Sequence, residues 1–600
     1  MSHPTGWTVA RYLATRLEQL GVHRIFGVPG NHLGPFLSIM RETTHVEWVG
    51  TPTEMGAGYA ADGYARVHGL GVAAVTYSVG AFSLLNAIGG AYVEEIPLVA
   101  INASPTYEQW LNFRAVGLLT SHMSPRFESN LDVYRQVTVD AQVISNAALA
   151  PEQIDAALTA CLSERKPVYL EVMENVWSTE CPAPEGEIVP RPRPTTAGNL
   201  RTLAKAVDAS IALIEAHERR PILWGGEEID RYHISDTFAS LVDATGIPFC
   251  TTIGGKSILS ETHPQFHGVY NGNASLPEVR RIFKEVAKCR IGLGSWSTSK
   301  NLAGDKVIGS DWIVAARQGI AVGTQYFPDV KLEEYMAALR DAAVAKWGEG
   351  CFRTDYYAVE ADPADGLPDT RGEFLAALRA PSPPARPLTY DSFFASIGDF
   401  LTDTASGETS PYVVVSDAGF ALLGSMNLPM VERRSYFAQN AWLSIGYSVG
   451  AVTGVKSARA DRRPLVFVGD GSFQEICQEL STHTRLGQDV VVFVLNNGDF
   501  YGIEQMLVHP CFYKGDSEPE PAFYNELHPW RFAKLADVFG SPDKPMGGVE
   551  IATHADLDAL LSRLADAADP LNRGPVLVQV RLPRRDFPRA IGYATEGCPP

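Results

Sequence analysis

Two short polar stretches, each closing an apolar run, carry the strongest chemical signal in the chain. Residues 464–468 lead into Gly469-Asp470-Gly471-Ser472, and residues 490–495 lead into Asn496-Asn497. Glycines let a backbone approach a ligand closely, and a helix that starts at such a turn offers free N–H groups to phosphate oxygens. Asp470 and Asn497, 27 positions apart, are hard oxygen donors of the kind Mg²⁺ takes alongside phosphate. Gly-Asp-Gly alone is also a common turn. The two stretches together, each behind an apolar run, favour a metal–phosphate crevice. Other residues are less specific on local grounds. Glu54 stands before a small-residue run, GAGYAADGYA, and reads as a helix-capping carboxylate. Ile445, in WLSIGY, reads as an ordinary core residue. His32 and His122 read either as hydrogen-bonded surface or core histidines or as acid/base groups, since imidazole titrates near neutral pH.

For Asp470 and Asn497 to meet, the runs before them must be neighbouring parallel strands, because a doubly wound sheet opens its ligand crevice at the strands' carboxyl ends. The surrounding pattern supplies such strands. The first block alternates HRIFGVPG, EWVGTP, VAAVTYSVG, PLVAINASP and PVYLEVM with helical segments at 54–66 and 151–161. The second holds RPILWGG, GIPFCTTI, CRIGLGS and DWIVAA, and the third YVVVSD, PLVFVGDG, DVVVFVLNN and PVLVQVRL. Strand–helix alternation implies parallel sheets covered on both faces. Pro-rich passages at 181–197 and 380–391 read as linkers. The expected architecture is α/β, with three doubly wound parallel-sheet domains at 1–180, 198–350 and 388–600. The first and third blocks are similar in style but share no obvious sequence repeat.

Composition agrees with a globular enzyme and excludes some alternatives. Six hundred residues exceed a single core and suit about three domains. A formal net charge of −19 argues against nucleic-acid partners, which need a basic face. The eight cysteines are scattered without a CxxC or a zinc-like spacing, so reduced thiols in a cytoplasmic protein are expected. The N-terminus reads as an amphipathic helix capped near Thr8 rather than a signal peptide, and no run is long and apolar enough to span a membrane.

The stretch 464–505 resembles the thiamine diphosphate signature, in the wording of the pyruvate and indolepyruvate decarboxylase family. FGVPG (26–30), EMGAGYAADGYAR (54–66), HPQFHGVYNG (263–272) and WLSIGY (442–447) match in the same order, so the resemblance covers essentially the whole chain. It implies pyrimidine-binding, central and diphosphate-binding domains, with thiamine diphosphate and Mg²⁺ as cofactors. By that resemblance Asp470, Asn497 and the Asp499 backbone carbonyl hold the metal, Gly471 and Ser472 contact the diphosphate, and Asp417 joins the cofactor site. Ile445 props the cofactor into its bent form, and Glu54 hydrogen-bonds the aminopyrimidine ring. Relatives place this glutamate against another subunit's diphosphate domain, which implies a homodimer or a dimer of dimers.

The implied activity is decarboxylation of a 2-oxo acid through a carbanion–enamine intermediate. Ala418 and Phe420, in SDAGFALLG, stand where relatives often carry polar groups, and suggest an apolar side chain larger than that of pyruvate. Three departures concern proton transfer. Asn31 replaces the family's aspartate. Leu118-Leu119-Thr120-Ser121-His122 replaces a run with adjacent histidines. Glu504 matches the family glutamate, but after one inserted residue. GNHLGPF also resembles benzaldehyde lyase and benzoylformate decarboxylase relatives, and in the lyase a histidine falls at the place of His32. Catalytic candidates are therefore Glu54, Glu504, His32, His122 and Asn31. Two alternatives remain open: a carboligase or lyase acting on 2-hydroxyketones with an aldehyde or ketone acceptor, and a non-catalytic cofactor-binding relative.

Overall fold

Three sheets organise the molecule. The computed structural model describes residues 6–117, 121–122, 124, 126–191, 196–305, 309–352, 384–514 and 520–598. Leu118-Leu119-Thr120, compared above with the family's histidine run, lies outside them.

The first sheet comprises β1 (Arg24–Gly27), β2 (Glu47–Gly50), β3 (Gly71–Thr76), β4 (Leu98–Ser104), β5 (Asp140–Ile144) and β6 (Val168–Met173). Its order is β2-β1-β3-β4-β6-β5, all parallel. The second has β7 (Pro221–Gly225), β8 (Phe249–Thr251), β9 (Phe266–Val269), β10 (Cys289–Leu293), β11 (Trp312–Ala316), β12 (Gly319–Val322) and β13 (Gln325–Pro328). It is parallel from β9 to β11, while β12 and β13 form an antiparallel edge that the strand–helix pattern did not foretell. The third has β14 (Tyr412–Ser416), β15 (Tyr436–Ala438), β16 (Arg463–Gly469), β17 (Val491–Asn496), β18 (Gly547–Ile551) and β19 (Val576–Arg581), in the order β15-β14-β16-β17-β19-β18.

Strand alternation explains the layering. On β17, Val491, Phe493 and Leu495 enter one apolar cluster, while Val492 and Val494 enter another on the opposite face. Both faces are thus covered, as the near-continuous apolar run requires. The Thr8 cap is present: its side chain accepts from Arg11 N–H at the start of Val9–Gln19. The strands that sequence reading missed, β5, β9, β15 and β18 among them, are short and carry weaker apolar runs.

Small residues bring the first and third domains together. The helix Glu54–His68 packs on the helix Tyr447–Ala458 so closely that a Cβ on Gly63 would lie 2.1 Å from the Ala451 carbonyl, and one on Gly454 would lie 1.8 Å from that of Ala60. Across the same contact, buried Glu94 Oε1 accepts from the backbone N–H groups of Asn440, Ala441 and Trp442 at 2.9, 2.7 and 3.0 Å. That anchors the loop leading to Ile445.

One expectation needs correcting. Cys511 and Cys598, 87 residues apart, form a disulfide with their Cα atoms 5.2 Å apart. The chain after β19 folds back over the third domain, with Ile591 in its core and the Phe587 ring 5.3 Å from that of Tyr513. This long-range return, invisible in cysteine spacing, brings the two thiols together. The other six cysteines are free.

Candidate active site

The third sheet's register builds the site. Gly469 pairs with Leu495 across β16 and β17, so Asp470 and Asn497 emerge side by side at the strands' carboxyl ends. Both are buried. Asp470 Oδ1 accepts from Gly471 N–H at 2.9 Å, and Oδ2 accepts from Asp499 N–H at 3.2 Å. Burial pushes the Asp470 carboxyl up to about 7, partly offset by these backbone hydrogen bonds. The turn after Asn497 is tight: Asp499 has a φ of 64°. The helix beginning at Asp470 runs to Ile476 and sets Ser472 in its first turn.

This oxygen set fits a divalent cation. The Asn497 carboxamide lies 3.1 Å from Asp470 Oδ2 and 3.2 Å from the Phe500 carbonyl and, with its NH₂ toward them, donates to both. Turned over, its oxygen would join theirs in a cation's donor set. Neighbouring oxygens around octahedral Mg²⁺, with bonds near 2.1 Å, stand about 3 Å apart. The carbonyl beside Asn497 is that of Phe500, one residue beyond Asp499, which supplies its N–H to Asp470 instead. Among the described residues, no three His, Cys, Asp or Glu side chains converge as a self-sufficient metal site. A cation here needs further oxygens from a ligand, which a diphosphate provides.

A cavity of about 530 Å³ opens over this set, lined by Asp470, Gly471, Ser472, Asn497, Ile445 and Glu504, and also by Ala418, Phe420 and Lys300. Ile445 is 37% exposed, high for a large apolar side chain, which speaks for ligand contact over the core reading. Gly446, with a φ of 81°, lets the Ile445 loop approach the helix at Ser472. Asp417 does not line the cavity. It lies buried beneath, accepting from Gly446 N–H at 3.2 Å and from Ser448 N–H and Oγ–H at 2.9 and 2.7 Å. Burial raises its carboxyl, and these bonds counter that. It therefore fixes the loop that carries Ile445.

The remaining sequence candidates gather elsewhere, at the carboxyl ends of the first sheet. Asn31 and His32 follow β1, Glu54 follows β2, and Tyr77 follows β3. Thr53, rather than Glu54, caps the helix by accepting from Gly56 N–H at 2.9 Å. The Glu54 carboxylate has no hydrogen-bond or ion-pair partner among the described residues. His32 Nδ1 lies 2.5 Å from Glu174 Oε2, and Asn31 Nδ2 lies 3.5 Å from His32 Nε2. Tyr77 stands between the histidines, its ring 5.6 Å from His32 and 6.1 Å from exposed His122. None of these residues lines the third-domain cavity of the same chain.

Three polar residues escaped sequence reading. Glu174 follows β6, a strand end that sequence could have flagged. Gln109 Nε2 donates to its Oε1 at 2.7 Å. Burial acts to raise the Glu174 carboxyl, but the hydrogen bonds from Gln109 and His32 outweigh it and hold the group below the usual range. Glu479, fully buried, accepts from Thr53 N–H and Oγ1–H at 3.1 and 2.8 Å. It grips the start of the Glu54 helix from the third domain. Lys300 reaches the cavity from the central domain, which no local motif signals.

Comparison with known proteins follows the same division of the chain. Models of the thiamine pyrophosphate enzyme N-terminal TPP binding domain, central domain and C-terminal TPP binding domain match residues 7–124, 207–332 and 417–580. An alpha-keto-acid decarboxylase of Mycolicibacterium paratuberculosis is 30% identical over 586 residues, covering 98% of this chain and 95% of that protein. Its counterpart in Mycobacterium tuberculosis is 30% identical, covering 99% and 98%. Pyruvate decarboxylase 1 of Oryza sativa subsp. japonica is 30% identical over 563 residues, covering 92% and 85%.

Proposed function

The chain belongs to the thiamine diphosphate-dependent decarboxylase family, and from that premise we propose that it releases carbon dioxide from a 2-oxo acid whose side chain is larger than that of pyruvate. The carrying observation is the third-domain cavity, where Asp470, Asn497 and Ser472 share walls with Ile445 and Glu504. Asp470, the Asn497 side chain and a carbonyl of the turn at Asp499 would hold Mg²⁺, with Gly471 and Ser472 at the diphosphate. A Cβ on Gly471 would lie 2.5 Å from the Tyr501 ring, so glycine keeps this cradle open. Thiamine diphosphate, when bound, supplies the nucleophilic thiazolium carbon and the electron sink that carbon–carbon cleavage needs. Ile445 would support its bend. Phe420 and Leu507, which line the cavity, would receive an extended substrate chain.

Glu54 would hydrogen-bond the aminopyrimidine from a second copy of the chain. Two observations support that assignment. Glu54 is absent from its own chain's cavity wall, and Val79, Phe82 and Trp442 leave apolar surface exposed at 53%, 41% and 39%. A homodimer, or a pair of dimers, is the assembly this reading requires. Glu504, which lines the cavity, and His32, held by Glu174, would move protons on substrate and product. A cytoplasmic location fits the six free thiols, whereas the Cys511–Cys598 bond favours an oxidising setting.

Carboligation remains the second reading, because Asn31 cannot donate or accept a proton as an aspartic acid does. The test is product analysis with the enzyme, thiamine diphosphate, Mg²⁺ and a panel of aliphatic, aryl and indole 2-oxo acids, with and without an aldehyde acceptor. Carbon dioxide release with free aldehyde supports decarboxylation. An acyloin in the presence of acceptor supports ligation. No carbon dioxide from any acid sinks decarboxylation, and no acyloin from an acid with acceptor or from aldehyde alone sinks ligation.

A further inference from the structure

Lys300 is the feature of the cavity that the family reading leaves unused. It lies in the one-turn helix Ser299–Leu302, capped by Thr298, whose Oγ1 accepts from Asn301 N–H at 3.0 Å. The turn is rigidly tied down. Asn301 Nδ2 donates to buried Glu227 Oε1 and to the Trp296 carbonyl, both at 2.8 Å. Asn440 Nδ2 donates to Asn301 Oδ1 at 2.9 Å. Asn440 begins the loop that leads to Ile445, so the central-domain turn and the cofactor-side loop hold a fixed relation. Lys300 thereby becomes a wall of the same cavity as Asp470, Asn497 and Glu504.

Its ammonium makes no hydrogen bond or ion pair with a described residue. Burial lowers its pKa, and the attraction of Glu504, across more than ion-pair distance, opposes that. A cation drawn from water without a partner is costly, and an anionic ligand offsets that cost. The reacting carboxylate is a poor candidate for that ligand. Its charge leaves as carbon dioxide forms, so a cation holding it would stabilise the ground state more than the transition state. The anion that Lys300 serves must persist through the reaction.

We propose that Lys300 selects 2-oxo acids whose side chain ends in a second acidic group, the ammonium pairing with that distal carboxylate while the methylene stem lies along Phe420 and Leu507. This rests on the decarboxylase reading above and narrows its substrate class.

The experiment compares wild-type holoenzyme with Lys300→Met on two matched substrates, 2-oxohexanedioate and 2-oxohexanoate. Wild type should favour the dianion by about tenfold or more in kcat/KM, and Lys300→Met should lose roughly 30-fold on it, chiefly through KM, with under about threefold change on the neutral-ended acid. Lys300→Arg, which keeps the charge, should retain much of the preference. Should Lys300→Met fail to fold, Lys300→Gln carries the same comparison. Calorimetric binding of the inert analogues hexanedioate and hexanoate is read separately. A preference for hexanedioate that Lys300→Met erases supports the proposal even if neither oxo acid releases carbon dioxide, an outcome that would sink the decarboxylase reading alone. Carbon dioxide release with no preference for the dianion overturns the Lys300 proposal and leaves that reading standing. So does an equal loss on both substrates, or a loss confined to kcat, which would make Lys300 a partner of Glu504 instead.

Discussion

The first and third sheets have the same strand order, 2-1-3-4-6-5 when each is counted from its own first strand, yet the groups at their carboxyl ends differ completely. The third sheet offers Asp470, Asn497 and Ser472, all buried, with both Asp470 oxygens held by backbone N–H groups. The first offers Asn31, His32, Glu54, Tyr77 and Glu174, with His32 against Glu174 and Glu54 without a partner among the described residues. Topology fixes where a crevice opens, and the residues at the strand ends decide its chemistry. Within one chain the two crevices do not join into one cavity.

The largest effect should come from Glu54. Glu54→Gln keeps the shape of the first crevice and removes its acid, so kcat should fall about 10³-fold, within the span of lost acid–base catalysis, while cofactor binding survives. The sharper version mixes halves. Coexpressed Glu54→Gln and Asp470→Asn chains should each be inactive alone, yet together recover about a quarter of wild-type activity, since half the dimers are mixed and each mixed dimer holds one intact site. No recovery would mean that each first-domain crevice serves its own chain, and the two-copy assembly would be wrong.

The next effect concerns Glu479, through which the third domain holds the start of the Glu54 helix. Burial pushes its carboxyl up to about 7 from an ordinary 4.5. A raised carboxyl pKa means that the fold favours the protonated form. Its contribution is complete below about pH 4.5 and is lost as pH rises through 7, a change of up to about 3 kcal/mol. Glu479→Gln should therefore flatten that part of the stability profile, gaining on wild type between pH 5 and 8 in denaturant midpoints. Parallel pH profiles for the two proteins would show that Glu479 stays ionised in the fold.

How legible all this was follows the same division. Asp470 and Asn497 were readable because apolar runs mark β16 and β17 and the chemistry sits at their ends, in sequence as in space. Glu54 and Ile445 needed the family resemblance, since locally one looks like a cap and the other like core. Glu479 and Lys300 were not legible, and Glu174 only as the residue after a strand, because each gains its meaning from a partner far along the chain: Thr53, 426 residues from Glu479, a cavity built by another domain for Lys300, and His32, 142 residues from Glu174. The Cys511–Cys598 bond failed for the same reason, since it depends on where the chain returns. The antiparallel edge of the central sheet is instead local, two tight hairpins between four- and five-residue strands too short to stand out as apolar runs.

Glu174 gives the smallest effect and the finest test of the comparison. If the first crevice handles protons through His32, the carboxylate 2.5 Å from Nδ1 fixes which ring nitrogen faces the reaction. Glu174→Gln leaves an acceptor for that nitrogen but removes the charge, and Gln109 loses an anionic partner as well. A charge-assisted hydrogen bond exceeds a neutral one by about 1 kcal/mol, so kcat/KM should drop roughly five- to tenfold, and Glu174→Ala should drop further. The partition between aldehyde and acyloin should move toward acyloin, because slower protonation leaves more time for an acceptor. Thiamine diphosphate affinity should not change, since Glu174 lies in the crevice without phosphate ligands. An unchanged rate and partition in Glu174→Ala, alongside an inactive Glu54→Gln, would remove His32 from proton transfer and leave Glu504, on the third-domain side, to do that work.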